Sequence, residues 1–173
     1  MIPGNHNTLL ESAKWRKSIR NAHLLIDSGV ELEGFRIWGS PITSYTNVAF
    51  GIADSASRVK HWSKISSGLD ILVTHCPPFK VLDCGTEDAD HGGCPNLRAA
   101  VILKRPRLHV FGHVHSAYGT RPTVNTLFVN AALAGEFGDL DKAPISLVMA
   151  SRARSKDPSG DLASAPEAPQ QSG

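Results

Sequence analysis

Short apolar runs separated by glycine, proline and polar residues recur along the chain, a pattern typical of strands that alternate with helices. The clearest run, residues 108–111, lies between Pro106 and Gly112, which predicts a short buried strand. A second apolar run at residues 71–73 predicts another buried strand, and Pro77 ends it because proline cannot donate a ladder hydrogen bond. These two strands are the most strongly predicted elements of the chain.

Weaker patterns predict further strands around this pair. Residues 30–32 and 35–38 are predicted to form a hairpin around Glu33-Gly34, after a turn at Ser28-Gly29. The other predicted strands are residues 23–27, 126–130 and 145–148. Strands alternating with helices indicate an α/β fold.

Three segments are predicted to be helical. Residues 8–20 begin with Thr8 and Glu11 at capping-box spacing. Residues 57–65 carry Val59, Trp62 and Ile65 on one face, which predicts a core stripe with His61 solvated beside it. Pro95 suits the first turn of a helix over residues 95–104, whose apolar side chains are expected to face the sheet. Those side chains are Leu97, Val101 and Ile102.

The remaining segments are predicted to be loops. Residues 42–54 are polar and aromatic, and either Tyr45 or Asn47 touches a substrate there or the segment is an ordinary surface loop. Residues 81–93 are rich in Asp, Glu and Gly without a recognisable ligand spacing, which favours a solvated loop over a metal site. Residues 116–122 form the third predicted loop, and the sequence leaves the isomer of the Pro77 peptide bond open.

Composition narrows the class of protein. A chain of 173 residues with 41% hydrophobic and 20% charged residues is typical of one soluble globular domain. We predict a domain over residues 1–150 and a disordered tail over residues 151–173, where Pro, Ser, Ala and Gly dominate. A net charge of +2 gives no electrostatic argument for a nucleic acid or a membrane, and no apolar run approaches a membrane span. Three cysteines are an odd number and favour a reducing, cytoplasmic compartment over a disulfide framework.

Candidate chemistry lies where the two buried strands end. His113 and His115 follow the strand at residues 108–111, and His75 follows the strand at residues 71–73. The carboxyl ends of parallel strands are where α/β sheets bind ligands, and neutral imidazole is the commonest metal ligand. Asn5 and His6 in a glycine turn add an amide and a fourth histidine. Each motif alone is as well explained by core or surface residues, whereas three motifs together indicate a metal site.

These motifs resemble those of the calcineurin-like metallophosphoesterases. The matching stretches, in chain order, are Gly4-Asn5-His6, Thr74-His75-Cys76-Pro77-Pro78 and Gly112-His113-Val114-His115. Three more stretches resemble the branch of brain-expressed metallophosphoesterase-domain proteins and their fungal and bacterial relatives. They are Trp38-Gly39-Ser40-Pro41, Gly93-Cys94 and the run from Arg105 to His115. The resemblance extends from about residue 2 to about residue 148.

The resemblance implies a partial metallophosphoesterase β-sandwich flanked by helices, with two divalent ions that activate a water for phosphoric ester hydrolysis. The ions would be Mn, Fe, Zn or Mg, and the partner a small-molecule phosphoester or nucleotide. Asn5, His75 and His113 would bind the second ion and His115 the first. His6 would be the general acid or contact the phosphate, and Asn7 replaces the usual Asp or Glu.

One departure from the family pattern changes the expected activity. The family carries Asp-x-His and Gly-Asp motifs ahead of Gly4-Asn5-His6, and neither precedes it here. We therefore interpret the chain as N-terminally truncated, with its first strands lacking, an exposed apolar sheet edge and impaired phosphoesterase activity. The alternative is a non-catalytic remnant that binds a metal or a nucleotide.

Overall fold

The computed structural model describes residues 1–84, 86, 90–135 and 138–151. The strands are β1 Ser28–Leu32, β2 Phe35–Ser40, β3 Ile71–Thr74, β4 Leu108–Phe111, β5 Gly119–Pro122 and β6 Leu127–Asn130. The helices are α1 Ala13–Arg16, α2 Ser55–Trp62 and α3 Pro95–Lys104, with 3-10 turns at Thr8–Glu11 and His115–Ala117. The chain is therefore mixed α/β, as predicted.

The six strands form one sheet in the order β1-β2-β3-β4-β6-β5. The four strands β2, β3, β4 and β6 are mutually parallel, whereas β1 and β5 pair antiparallel at the two edges. The β1–β2 hairpin turns at Glu33 and Gly34, both with positive φ, as the predicted hairpin requires. Parallel central strands place the ends of β3 and β4 at the same edge of the sheet.

Helices α2 and α3 cover one face of the sheet and form the core with it. Leu72 on β3 and Leu97 on α3 are fully buried, and Trp62 on α2 is 1% exposed. Side chains on the opposite face are half-buried, among them Ile71 and Val73. This face of the sheet therefore leaves apolar side chains partly open to solvent, and Leu32 on the edge strand β1 is 45% exposed.

Helix ends depend on specific side chains. The Asp54 carboxylate accepts a hydrogen bond from the Ser57 amide at 2.7 Å, so α2 begins at Ser55 rather than at the predicted residue 57. The Cys94 sulfur caps α3 by accepting from the Leu97 amide at 3.4 Å. Helix α3 has the bounds that its sequence predicted.

Tertiary contacts override the local pattern near the amino end. The predicted helix over residues 8–20 is a 3-10 turn followed by the single turn α1. The capping box does not form, because the Glu11 carboxylate instead accepts a hydrogen bond from the Phe50 amide at 2.9 Å. Residues 23–27 lie outside any strand, and the predicted turn at Ser28-Gly29 is the start of β1.

Near the carboxyl end, two more predictions are wrong. The predicted loop at residues 116–122 contains β5, an edge strand in which proline is tolerated at the end. Residues 145–148, predicted as a strand, have no regular structure. Two residues predicted to be in the core are exposed, Val59 by 56% and Ile102 by 60%.

Other expectations concern single groups. His61 is buried instead of solvated, since its Nε2 lies 3.0 Å from the Ser40 hydroxyl and 3.2 Å from the Asp27 carboxylate. All peptide bonds in the described ranges are trans, and Cys76, Cys84 and Cys94 are free thiols. No helix in the described part of the chain is long and apolar enough to span a membrane. The predicted tail from residue 151 lies outside the described residues, apart from Ser151.

Candidate metal centre

His75 and His113 meet at the edge of the sheet where β3 and β4 end. His75 directly follows β3, and His113 follows Gly112 after β4. The Gly112 amide donates a hydrogen bond to the His75 carbonyl at 3.2 Å, which ties the two loops together. The two imidazole rings lie edge to face with their centroids 4.7 Å apart. The predicted convergence of these two histidines is therefore found.

The backbone at His113 adopts an uncommon conformation. Its φ is 72°, in the left-handed region that few non-glycine residues occupy. Such conformations persist where the surrounding structure enforces them, and they cluster at functional sites. Here the turn directs the His113 ring toward both His75 and Tyr45, whose ring centroid is 5.0 Å away.

The glycine turn near the amino end completes this cluster. The Asn5 side-chain oxygen lies 2.8 Å from His75 Nε2. The Ala49 amide donates to the Asn5 carbonyl at 3.1 Å, which holds the turn against the rest of the fold. Gly4 is required here, since a Cβ at this position would lie 2.9 Å from the Cε1 atom of His75. Asn7 accepts a hydrogen bond from the Gly4 amide at 2.7 Å and thereby shapes the turn.

His115 and His6 have different surroundings from this pair. Hydrogen bonding between His115 Nδ1 and the Gly135 carbonyl at 2.9 Å leaves Nε2 with the lone pair, because a carbonyl only accepts. His6 is exposed, and its charge acts on both His75 and His113. The structure thus brings Asn5, His75 and His113 together and places His115 and His6 around them.

Burial keeps the central imidazoles neutral. The pKa of His75 is lowered to about 4 by burial first, and then by the charges of His113, His6 and His115. Burial and the charges of His115 and His6 also lower the pKa of His113. At neutral pH both rings therefore carry a lone pair that can bind a metal ion.

The donor set fits a divalent ion. Imidazole nitrogen and amide oxygen are ligands for Zn, Mn or Fe. Because the Asn5 oxygen only accepts, His75 Nε2 carries the proton of their 2.8 Å hydrogen bond, and an ion bound by both atoms would replace that proton. Within the described part of the chain, one group of three His, Cys, Asp or Glu side chains has its potential ligand atoms within 4.8 Å of one another. His75, His113 and His115 do not belong to that group.

That group of three lies in the acidic loop and consists of Asp83, Cys84 and His91. Asp83 is 2% exposed, although we predicted a solvated loop. Its carboxylate accepts hydrogen bonds from the Lys80 and Gly93 amides at 2.9 Å and 3.1 Å, and lies 2.9 Å from His91 Nδ1. Asp83 therefore holds the loop in shape, and this role accounts for its burial without an ion.

Tyr45 and Asn47 differ in their relation to the centre. The Tyr45 ring packs against His113 at a tilt of 54°, and its hydroxyl donates a hydrogen bond to the Gly92 carbonyl at 3.5 Å, so it bridges two loops at the site. Burial first, and then the neighbouring Cys76 and Asp83, raise the pKa of its hydroxyl. Asn47, by contrast, is exposed.

Sequence reasoning missed one residue that supports the centre. His109 on β4 is fully buried, and its Nε2 lies 2.8 Å from the hydroxyl of Thr74, the residue before His75. The signal was a histidine inside an otherwise apolar run, where a buried polar side chain needs a partner. His109 thus links β4 to the end of β3, at the residue that precedes His75.

Comparisons with known proteins place the chain among named relatives. It is 38% identical over 117 residues to metallophosphoesterase domain-containing protein 1 of Homo sapiens, covering 66% of this chain and 36% of that protein. It is 34% identical over 129 residues to UPF0046 protein T07D4.2 of Caenorhabditis elegans, covering 73% of this chain and 32% of that protein. The chain thus spans about a third of the length of these relatives. No protein-family profile matches it.

The fold also has a solved counterpart. One crystal structure aligns with a TM-score of 0.55 at 18% identity, covering 76% of this chain and 56% of that one. At this identity the likeness concerns the fold alone. It agrees with a partial metallophosphoesterase fold in which one sheet is flanked by helices.

Proposed function

The chain belongs to the metallophosphoesterase family, and from this premise we propose that it binds a divalent metal ion and acts on a small-molecule phosphoric ester or nucleotide. Family membership is consistent with the use of a divalent metal. The observation that carries the proposal is the contact of the Asn5 amide oxygen with His75 Nε2 at 2.8 Å, beside the His113 ring. Three side chains of types that can bind metal ions, from distant parts of the chain, lie close together there.

The proposed ligands share one property, which is that none of them is a carboxylate. They are Asn5, His75 and His113 for one ion and His115 for a neighbouring ion. A bound divalent ion would polarise a phosphoryl oxygen and lower the pKa of a bound water. His6 is exposed beside this cluster, and we assign it the contact with the phosphate or the transfer of a proton to the leaving oxygen.

The lack of a carboxylate among these ligands also determines the affinity that we expect for a divalent ion. Neutral ligands do not offset the charge of a divalent ion, so binding is weaker than in a site that includes carboxylates. The 173 residues contain no Asp-x-His motif to supply such a carboxylate. We therefore propose that hydrolysis by this chain is impaired, with little turnover of phosphoric esters.

Metal stoichiometry and hydrolysis test the proposal together. The chain is loaded with Mn²⁺, the bound ions are counted per chain, and hydrolysis of an aryl phosphodiester is followed. We expect one ion per chain, lost in H113A and retained in the control H23A, whose imidazole is exposed, with hydrolysis near the uncatalysed rate. No bound ion would overturn the metal site. Turnover at a rate usual for enzymes, abolished in H113A, would overturn the impairment.

A non-catalytic function is the second candidate. The observation that favours it is the absence of any carboxylate among the proposed ligands. Such a remnant would bind Mn²⁺ or a nucleotide in the same cluster without hydrolysing it. One bound ion and tight nucleotide binding without turnover would favour this function over catalysis.

A further inference from the structure

A cleft lies where the sheet is wider than its layer of helices. Helix α3 packs over the centre of the sheet, whereas the β5–β6 hairpin forms its edge beyond that helix. The space between α3 and the hairpin is a cleft of about 270 Å³. None of its lining residues is one of the predicted metal ligands.

Three arginines line this cleft. Arg98 lies on α3, and Arg105 directly follows the last residue of that helix, with a left-handed φ of 50°. Arg121 approaches from β5 on the other side. No Asp or Glu in the described part of the chain is among the lining residues. The three positive charges that line the cleft repel each other, and a bound anion would offset that repulsion.

Two of the arginines are held in place by the same loop. Arg98 Nη1 donates to the Phe79 carbonyl at 2.8 Å, and Arg121 Nη1 donates to the Lys80 carbonyl at 3.0 Å. Each of these hydrogen bonds uses one of the five N–H donors of a guanidinium. The remaining donors keep a fixed position, which lowers the entropic cost of binding an anion.

The rest of the lining is apolar with a polar rim. Val81, Val101 and Phe128 form a floor of side chains that are at least nine-tenths buried. Ile102, whose exposure contradicts its predicted place in the core, forms part of the wall. Thr123 and Asn125 stand at the rim. Such a lining suits a ligand that combines an anionic group with an apolar body.

We propose that this cleft binds a small organic phosphate, with the phosphate among the three guanidiniums and the organic body against the apolar floor. A phosphate monoester carries close to two negative charges at pH 7, and guanidinium groups bind phosphate oxygens through paired hydrogen bonds. A cleft of 270 Å³ takes a ligand the size of a mononucleotide or smaller. Binding is independent of the metal centre and needs no ion.

Calorimetric titration with adenosine monophosphate, in the presence of a chelator that removes divalent ions, tests this site. We expect saturable binding to the full chain, and weaker binding of inorganic phosphate because it lacks the organic body. Ile102→Glu places a carboxylate in the wall and should weaken AMP binding at least about tenfold. Leu103→Glu is the matched control, since Leu103 is also exposed on α3 but does not line the cleft. It should bind AMP as the unmodified chain does.

Two further variants test the role of Arg105 in this site. Arg105→Gln should weaken AMP binding about tenfold through the loss of a charge-assisted hydrogen bond, whereas the exposed control Lys60→Gln should leave it unchanged. Absence of AMP binding in chelator, or equal binding by Ile102→Glu and Leu103→Glu, would overturn the proposal. Circular dichroism confirms that each variant is folded.

Discussion

The burial of His109 predicts how the free energy of unfolding depends on pH. This imidazole is fully buried between Phe111 and Phe128, and burial lowers its pKa to about 3 from the usual 6.5. In the unfolded chain the ring is exposed and gains a proton as the pH falls below 6.5. In the folded chain it stays neutral until the pH approaches 3. Acid therefore stabilises the unfolded state, and the fold loses stability as the pH falls across this window.

The magnitude follows from the linkage of proton binding to folding. Each pH unit between the two pKa values costs about 1.4 kcal/mol of stability for one titrating group. From pH 6.5 to pH 4.5 His109 alone should lower the free energy of unfolding by about 2–3 kcal/mol. That is a large part of the stability of an ordinary domain.

Urea unfolding at several pH values, with a chelator present, measures this effect. The free energy of unfolding of H109Q is subtracted from that of the unmodified chain at each pH, which cancels the other titrating groups. Glutamine also keeps a partner for the Thr74 hydroxyl, so the variant should fold. The difference should fall by about 2–3 kcal/mol between pH 6.5 and 4.5. H23Q, which removes an exposed imidazole, is the matched control for the substitution itself. A difference for H109Q that stays constant over this range would refute the reasoning.

Three further predictions follow from single contacts. Gly4→Ala should weaken Mn²⁺ binding about tenfold or more, measured by calorimetry, because the new Cβ would lie 2.9 Å from His75 Cε1 and displace the ring. Leu97→Ala should lower the free energy of unfolding in urea by about 2–5 kcal/mol, since Leu97 is fully buried between α3 and the sheet. Alkylation of the native chain by iodoacetamide should modify Cys84, which is partly exposed, and spare Cys76, whose pKa is raised by burial; equal labelling of the two would contradict the burial argument.

The strands that carry the site could be predicted because their signals are local. An apolar run followed by histidine predicted β3 with His75 and β4 with His113, and parallel pairing brings their ends together. The pairing partners could not be predicted, because strand order depends on contacts between distant residues. Asn5 shows the same limit, since its contact with His75 spans most of the described sequence.

Buried polar side chains were the main failure of sequence reasoning. The acidic composition around Asp83 and the helical position of His61 both indicated solvent exposure. Backbone amides and neighbouring side chains satisfy these groups instead, and residue pattern carries no information on such partners. Ile102 is the opposite case, an apolar side chain that was predicted to be buried and is exposed. The reason is that α3 buries only a narrow stripe, which includes Leu97 and Val101.

The pairing of β3 with β4 has a kinetic consequence for the histidine cluster. Its members come from the first turn of the chain and from two parallel strands joined through α3, so the cluster has a high contact order and forms late in folding. A divalent ion that binds this cluster in the native state would therefore not bind in the folding transition state, where the site is not yet assembled. We therefore expect Mn²⁺ to slow unfolding and to leave the refolding rate nearly unchanged. The rate at which the chain loses its metal ion would then report the unfolding rate of the sheet as well as the affinity of the site.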